Sequence, residues 1–105
     1  MVYGRRMDIT LQYFESCPNW KRADQRLTAL AEETPGMVVT RHIVDTAEEA
    51  ERVGFRGSPS ILVNGIDPFA QADDPIGLSC RRYPTPHGYA DSPTLEQLKT
   101  ELHLT

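Results

Sequence analysis

The sequence predicts an α/β fold built on a small mixed sheet. Three observations lead there. Strand-like and helix-like segments alternate from Ile9 onward. The first strand candidate, Ile9–Phe14 (ITLQYF), is apolar on nearly every second position and on some between, the pattern of a strand covered on both faces. The last segment carries a capped, leucine-striped helical pattern.

Each element has its own signal. Residues 1–8 read as a ragged start. After the first strand, Glu15-Ser16-Cys17-Pro18 turns the chain into a helix, with Pro18 at the first helical position, where its missing N–H costs nothing. Trp20, Ala23, Leu27, Leu30 and Ala31 share one helical face, and Thr34-Pro35-Gly36 stops the helix. Met37–Val44 is a second strand. Asp45 caps a short helix, with Glu48 at capping-box spacing, and Gly54 ends it. Ser60–Asn64 is a third strand, closed by the Asn64-Gly65 turn signal. A long polar loop runs from Ile66 to about Ser79. Cys80–Tyr83 reads as a short fourth strand and Pro84–Asp91 as a loop. Ser92 caps the final helix, Pro93 opens it, and Leu95, Leu98 and Leu102 form its stripe. The order is βαβαββα. A helical crossover makes the first two strands parallel, the last two are antiparallel, and helices cover both faces.

The 105 residues suit one domain spanning 1–105. A net charge of −4 argues against a nucleic-acid partner. The chain carries no apolar run of membrane-spanning length and no secretory pattern at Met1–Asp8, so a cytoplasmic location without membrane contact is the expectation. Two cysteines, Cys17 and Cys80, are too few for a disulfide scaffold or a four-cysteine iron–sulfur site, and the three histidines show no ligand spacing. No cofactor is expected, and the chemistry falls to one or two thiols.

Cys17 lies where a strand passes into a helix, at the N-cap or beside it. The unpaired N–H groups and positive dipole end there favour a thiolate, lowering the thiol pKa below about 8.5, while a nearby Glu15 carboxylate would oppose this. The alternative is an inert buried cysteine. Gly57-Ser58-Pro59, directly before a strand, forms the second feature. Were the Ser58–Pro59 bond cis, its turn would bring backbone groups beside the Cys17 loop.

These residues carry a resemblance. The order βαβαββα, Cys17-Pro18 at the start of the first helix, and Gly54-Phe55-Arg56-Gly57-Ser58-Pro59-Ser60 before a strand resemble the thioredoxin-like fold in its minimal, glutaredoxin-sized form, from Ile9 to Leu102. Tyr13–Trp20, Asn64–Phe69 and Gly77–Tyr83 are similar to a small bacterial group of thioredoxin-like proteins, some called selenoproteins or alkylmercury-lyase-like. The resemblance implies that Cys17 is the nucleophilic thiol and that Ser58–Pro59 is cis, with Pro59 packed against Cys17. Trp20 stands where a dithiol oxidoreductase has its second cysteine. Rescue of Cys17 therefore falls to a low-molecular-weight thiol, a partner protein or Cys80. Cys80 either starts a strand out of bridging range or is carried over Cys17 by the Ile66–Ser79 loop.

The function expected is thiol–disulfide exchange or peroxide reduction, with Cys17 attacking, Cys80 as a resolving thiol, and a small thiol or protein disulfide as substrate. Two other readings stand. One is capture of a soft metal or organomercurial by the two thiols, with Asp67, Asp73 or Asp74 as proton donor unless these acids merely face solvent. The other is a non-catalytic binding module on the same scaffold. Pro18, Ser58 and Pro59 flank the thiol in any of them. Trp20 reads as core before pocket wall. Arg56 reads as a solvated charge or as a fork for a substrate carboxylate. Arg81 and Arg82 would favour a Cys80 thiolate or serve as exposed edge charges. Tyr13, Tyr83 and His42 read as structural and His87 as solvated; Asp91 and Ser92 are weak ligand candidates.

Overall fold

The computed structural model describes residues 6–71 and 73–104. Among them, β1 (Met7–Tyr13), α1 (Trp20–Glu33), β2 (Met37–Ile43), α2 (Ala47–Val53), β3 (Ser60–Val63), β4 (Tyr83–Thr85), β5 (Gly88–Ala90) and α3 (Leu95–Glu101) follow in that order. β1 is the centre of a three-stranded sheet in the order β2-β1-β3. It pairs in parallel with β2, from Met7↔Met37 to Tyr13↔Ile43. It pairs antiparallel with β3, from Ile9↔Val63 to Gln12↔Ser60. The mixed α/β character and the parallel first pair agree with expectation.

Alternation along β1 divides the core. Ile9, Leu11 and Tyr13 cluster with Ala23, Leu27 and Leu30 of α1, with Ile61, and with Leu98 and Leu102 near α3. Phe14 belongs to a second cluster with Val44, Ala50, Val53 and Phe55, on the side of α2. Gln12 on that side meets His42, whose other ring nitrogen lies 3.1 Å from Glu49 of α2. His42 is therefore a linker between strand and helix, as its place in β2 implied. Burying each of the leucines in the larger cluster is worth about 1.5–3 kcal/mol.

Several boundaries move. β1 begins at Met7, inside the stretch expected to be ragged, because Asp8 exchanges bonds with Asn64: Asp8 N–H to Asn64 Oδ1 at 2.9 Å, and Asn64 N–H to Asp8 O at 2.7 Å. Residues 1–5 lie outside the described part. α1 starts at Trp20 rather than Pro18. Pro18 and Asn19 form a tight turn whose Lys21 N–H bonds Pro18 O at 3.3 Å, and the α ladder opens only after it. The cap of α2 is Thr46, not Asp45; its hydroxyl accepts Glu49 N–H at 3.1 Å. The cap of α3 is Thr94, not Ser92, in a reciprocal box with Gln97, while the buried Ser92 hydroxyl donates to Pro93 O. Leu98 and Leu102 are buried, whereas Leu95 is 39% exposed at the first helical position. Asn64 and Gly65 both take positive φ in a two-residue turn closed by Val63–Ile66 bonds, as their sequence required.

The largest departure concerns the fourth strand. Cys80–Arg82 is not part of a strand, and Pro84–Asp91 is not a plain loop. Tyr83–Thr85 and Gly88–Ala90 form a separate antiparallel hairpin. The Thr85 hydroxyl stabilises its tip by donating to Gly88 O and accepting from His87 N–H. Three-residue strands are too short to show a period, so only the turn residues signalled them.

Candidate functional site

Cys17 and Cys80 form a disulfide across 63 residues, with Cα atoms 6.0 Å apart. Of the two placements open to Cys80, the one in which the long loop folds back is observed. The fold builds the bridge from two backbone segments. Cys17 follows β1, held by its N–H to Phe14 O at 3.2 Å. Cys80 lies on a short stretch that runs parallel to the approach to β3. Ser58 N–H bonds Ser79 O at 2.7 Å and Arg81 N–H bonds Ser58 O at 2.8 Å, so Ser58 and Cys80 face each other as a bridge pair.

Gly57 allows that approach. Its φ is +110°, and a Cβ there would stand 3.0 Å from Arg81 Cβ and 3.1 Å from Ser79 O. The next peptide bond, Ser58–Pro59, is cis. Ser58 and Pro59 are fully buried, and the Ser58 carbonyl lies 3.8 Å from Cys17 Sγ. Ser58 Oγ accepts Phe14 N–H at 3.4 Å, and Ser60 Oγ donates to Gly57 O at 2.7 Å. Thus the turn does stand beside the Cys17 loop.

The two cysteines have opposite surroundings. Cys17 is 1% exposed, whereas Cys80 is an exposed residue. Cys17 therefore has the burial of the alternative reading, and it is not itself the N-cap. Cys17 sits two residues before the N-cap, Asn19, and the turn at Pro18-Asn19 separates it from the first helical residue. α1 carries neither a side-chain cap bond nor an acidic residue in its first turn, so nothing on the helix itself offsets the positive end of its dipole.

Beneath Cys80 lies a charged and aromatic layer absent from the sequence reading. Arg81, expected as an edge charge, has a side chain only 8% exposed. Its Nη1 donates to Asp67 Oδ2 at 2.6 Å and to Ser60 Oγ at 3.2 Å, and its guanidinium lies 4.5 Å from the Tyr83 ring centroid. Burial is the largest single influence and works against the Arg81 charge, but the Asp67 hydrogen bond and the surrounding negative groups together outweigh it and hold its pKa above the ordinary arginine value. Asp67 is accordingly an ion-pair partner, not a solvent-facing loop acid. Tyr83 is buried, stacks edge-on to Phe69, and donates its hydroxyl to Pro59 O at 2.6 Å. Burial pushes its phenol well above the usual tyrosine range.

Arg56 neither floats in solvent nor presents a free fork. Its Nη1 donates to the carbonyls of Gln71 at 2.9 Å and Asp74 at 3.1 Å, stapling the long loop. The Asp74 carboxylate accepts Gln71 N–H, and Asp73 is exposed. Trp20 is part-buried against the main core and stacks on Tyr13 at 4.3 Å, the core alternative. Pro18 is exposed on the turn. Asp91 pairs with Arg22 at 3.3 Å, and His87 is exposed at the hairpin tip.

A cleft of about 560 Å³ opens on the Cys80 side, lined among others by Arg56, Cys80, Arg81, Arg82, Tyr83 and Tyr89. Neither Cys17 nor Trp20 lines it. Chemically, the arrangement joins a disulfide between one exposed and one buried cysteine to a cationic, aromatic opening. No described helix is long and apolar enough to cross a membrane. The chain matches no family model, no curated protein and no solved structure with significance.

Proposed function

We propose that this protein is a thiol–disulfide redox protein of thioredoxin-like architecture whose working couple is Cys17–Cys80. The observation that carries the reading is the pairing itself. It joins the only two cysteines across 63 residues, beside a cis-proline turn, with one member exposed. A purely structural bridge needs no accessible sulfur. Exchange does, because an incoming thiolate must reach one sulfur along a clear path.

The exposures favour an order of events opposite to the one expected from sequence. An incoming thiolate meets the Cys80 sulfur, forms the mixed disulfide there, and the electron pair of the broken S–S bond leaves on Cys17. Cys17, held two residues before the uncapped α1 terminus, is the releasing and resolving sulfur. When the protein is oxidised, the Cys80 thiolate attacks a substrate disulfide and releases one substrate thiolate, and Cys17 then attacks the Cys80 sulfur of the mixed disulfide, releasing the second substrate thiolate and closing the bridge. Cys80 thereby supplies the second sulfur that Trp20 cannot. Both steps conserve two electrons between two thiols and one disulfide.

The test is disulfide reduction or oxidation of a model substrate by the wild type, Cys17→Ser and Cys80→Ser. The account expects turnover only with both cysteines, and a substrate-linked adduct that accumulates on Cys80 in Cys17→Ser. Unchanged turnover in both variants would remove the redox assignment and leave a scaffold for non-catalytic binding.

A further inference from the structure

The cleft beside Cys80 differs in charge from the rest of the molecule. The chain carries a net charge of −4, yet Arg56, Arg81 and Arg82 line this one opening against the single acid Asp74. Arg81 is neutralised by Asp67. The other two arginines are not paired with carboxylates among the described residues. Arg56 bonds only backbone carbonyls, which leave its charge intact, and Arg82 is exposed. Tyr83 and Tyr89 provide flat walls, Tyr89 being 68% exposed. A volume of about 560 Å³ is the size of a small-molecule site.

We propose that this cleft is a binding site for a low-molecular-weight thiol bearing carboxylates, seated so that its sulfur reaches Cys80 and its carboxylates face Arg82 and Arg56. The proposal rests on the redox reading above and names its reductant class. The steps balance as follows. The bound thiolate attacks the Cys80 sulfur, a new S–S bond forms, and the Cys17–Cys80 bond breaks with its electron pair on Cys17. A second thiolate attacks the ligand sulfur of that mixed disulfide, releasing the ligand disulfide and the Cys80 thiolate. Two electrons pass from two small thiols to the protein bridge.

The experiment compares reduction of the oxidised protein by glutathione, neutral 2-mercaptoethanol and cationic cysteamine, each rate corrected to its thiolate concentration and intrinsic nucleophilicity. Adducts are located by peptide mass, and the series is repeated with Arg82→Glu. Glutathione is expected to react about tenfold faster than cysteamine at low salt, with the preference shrinking as salt rises and lost in Arg82→Glu. The adduct is expected on Cys80. Equal corrected rates for the three thiols, an adduct on Cys17, or no response to Arg82→Glu would each overturn the site. So would reduction by a protein dithiol that outpaces every small thiol at equal concentration, which would assign the cleft to a macromolecule. A bridge that no thiol reduces would sink the redox reading itself, a result distinct from reduction without charge preference.

Discussion

Arg81 and Asp67 show how much one buried ion pair can govern. The guanidinium supports Cys80 from the next position, packs on Tyr83, and reaches the Ser60 hydroxyl at the start of β3. Replacing only Asp67 with Ala leaves that cation buried and unpaired. A loss of about 3–5 kcal/mol in urea unfolding is expected, with looser protection of the 79–81 backbone in hydrogen exchange. Replacing both partners, Asp67→Leu with Arg81→Met, should recover a good part of the loss. A cost below about 1 kcal/mol for the single variant would show that the pair is solvated in solution. This pair could not be read from sequence, because nothing in the spacing of residues 67 and 81 says that a long loop returns on itself. The cysteines were legible in part. The strand-to-helix junction points to Cys17, but the Pro18-Asn19 turn puts the N-cap two residues further on, which the sequence does not show.

At the scale of elements, Gly57 decides whether the Cys80 segment can lie against the approach to β3. Gly57→Ala imposes both a strained φ and a Cβ pressed against Ser79 O and Arg81 Cβ. A destabilisation of about 1–3 kcal/mol is expected, together with slower re-formation of the disulfide after reduction, measured by quenched alkylation. Wild-type stability and closure rates would contradict the close approach. Elements with a full hydrophobic period were the readable ones: β1, α1 and β2 emerged nearly in place, and Asn64-Gly65 gave its turn. Capping residues were harder, since Asp45 and Thr46, or Ser92 and Thr94, are chemically equivalent candidates one or two positions apart. The β4–β5 hairpin was lost because its strands are three residues each.

Across the whole molecule, the bridge closes a loop of more than half the chain. In the chain-entropy description, such a loop stabilises the native state by at most about 4 kcal/mol. Reduction is therefore expected to lower the melting temperature by up to about 15–30 °C while the far-ultraviolet spectrum stays native. Loss of all secondary structure on reduction would contradict a core that holds β1, α1 and α3 together without the bridge. Stability should also fall at high pH. The folded Tyr83 phenol titrates far above the ordinary value of about 10, so the unfolded chain releases its proton first and stability declines as pH rises beyond about 10. Tyr83→Phe is expected to cost stability at neutral pH, through the lost bond to Pro59 O, and to flatten that alkaline decline in denaturant titrations. An unchanged slope would mean that the phenol is not shielded.

The central claim is that Cys17 and Cys80 act as one reversible two-electron couple. Equilibrating the protein in thiol–disulfide buffers of stepped potential, then trapping by alkylation and weighing, tests it directly. The account predicts a single transition, about 30 mV per tenfold change in ratio, in which both cysteines gain the label together and the exposed Cys80 is labelled first under brief pulses. Two separate single-thiol transitions, or a bridge that stays closed throughout the range of biological thiol buffers, would contradict it.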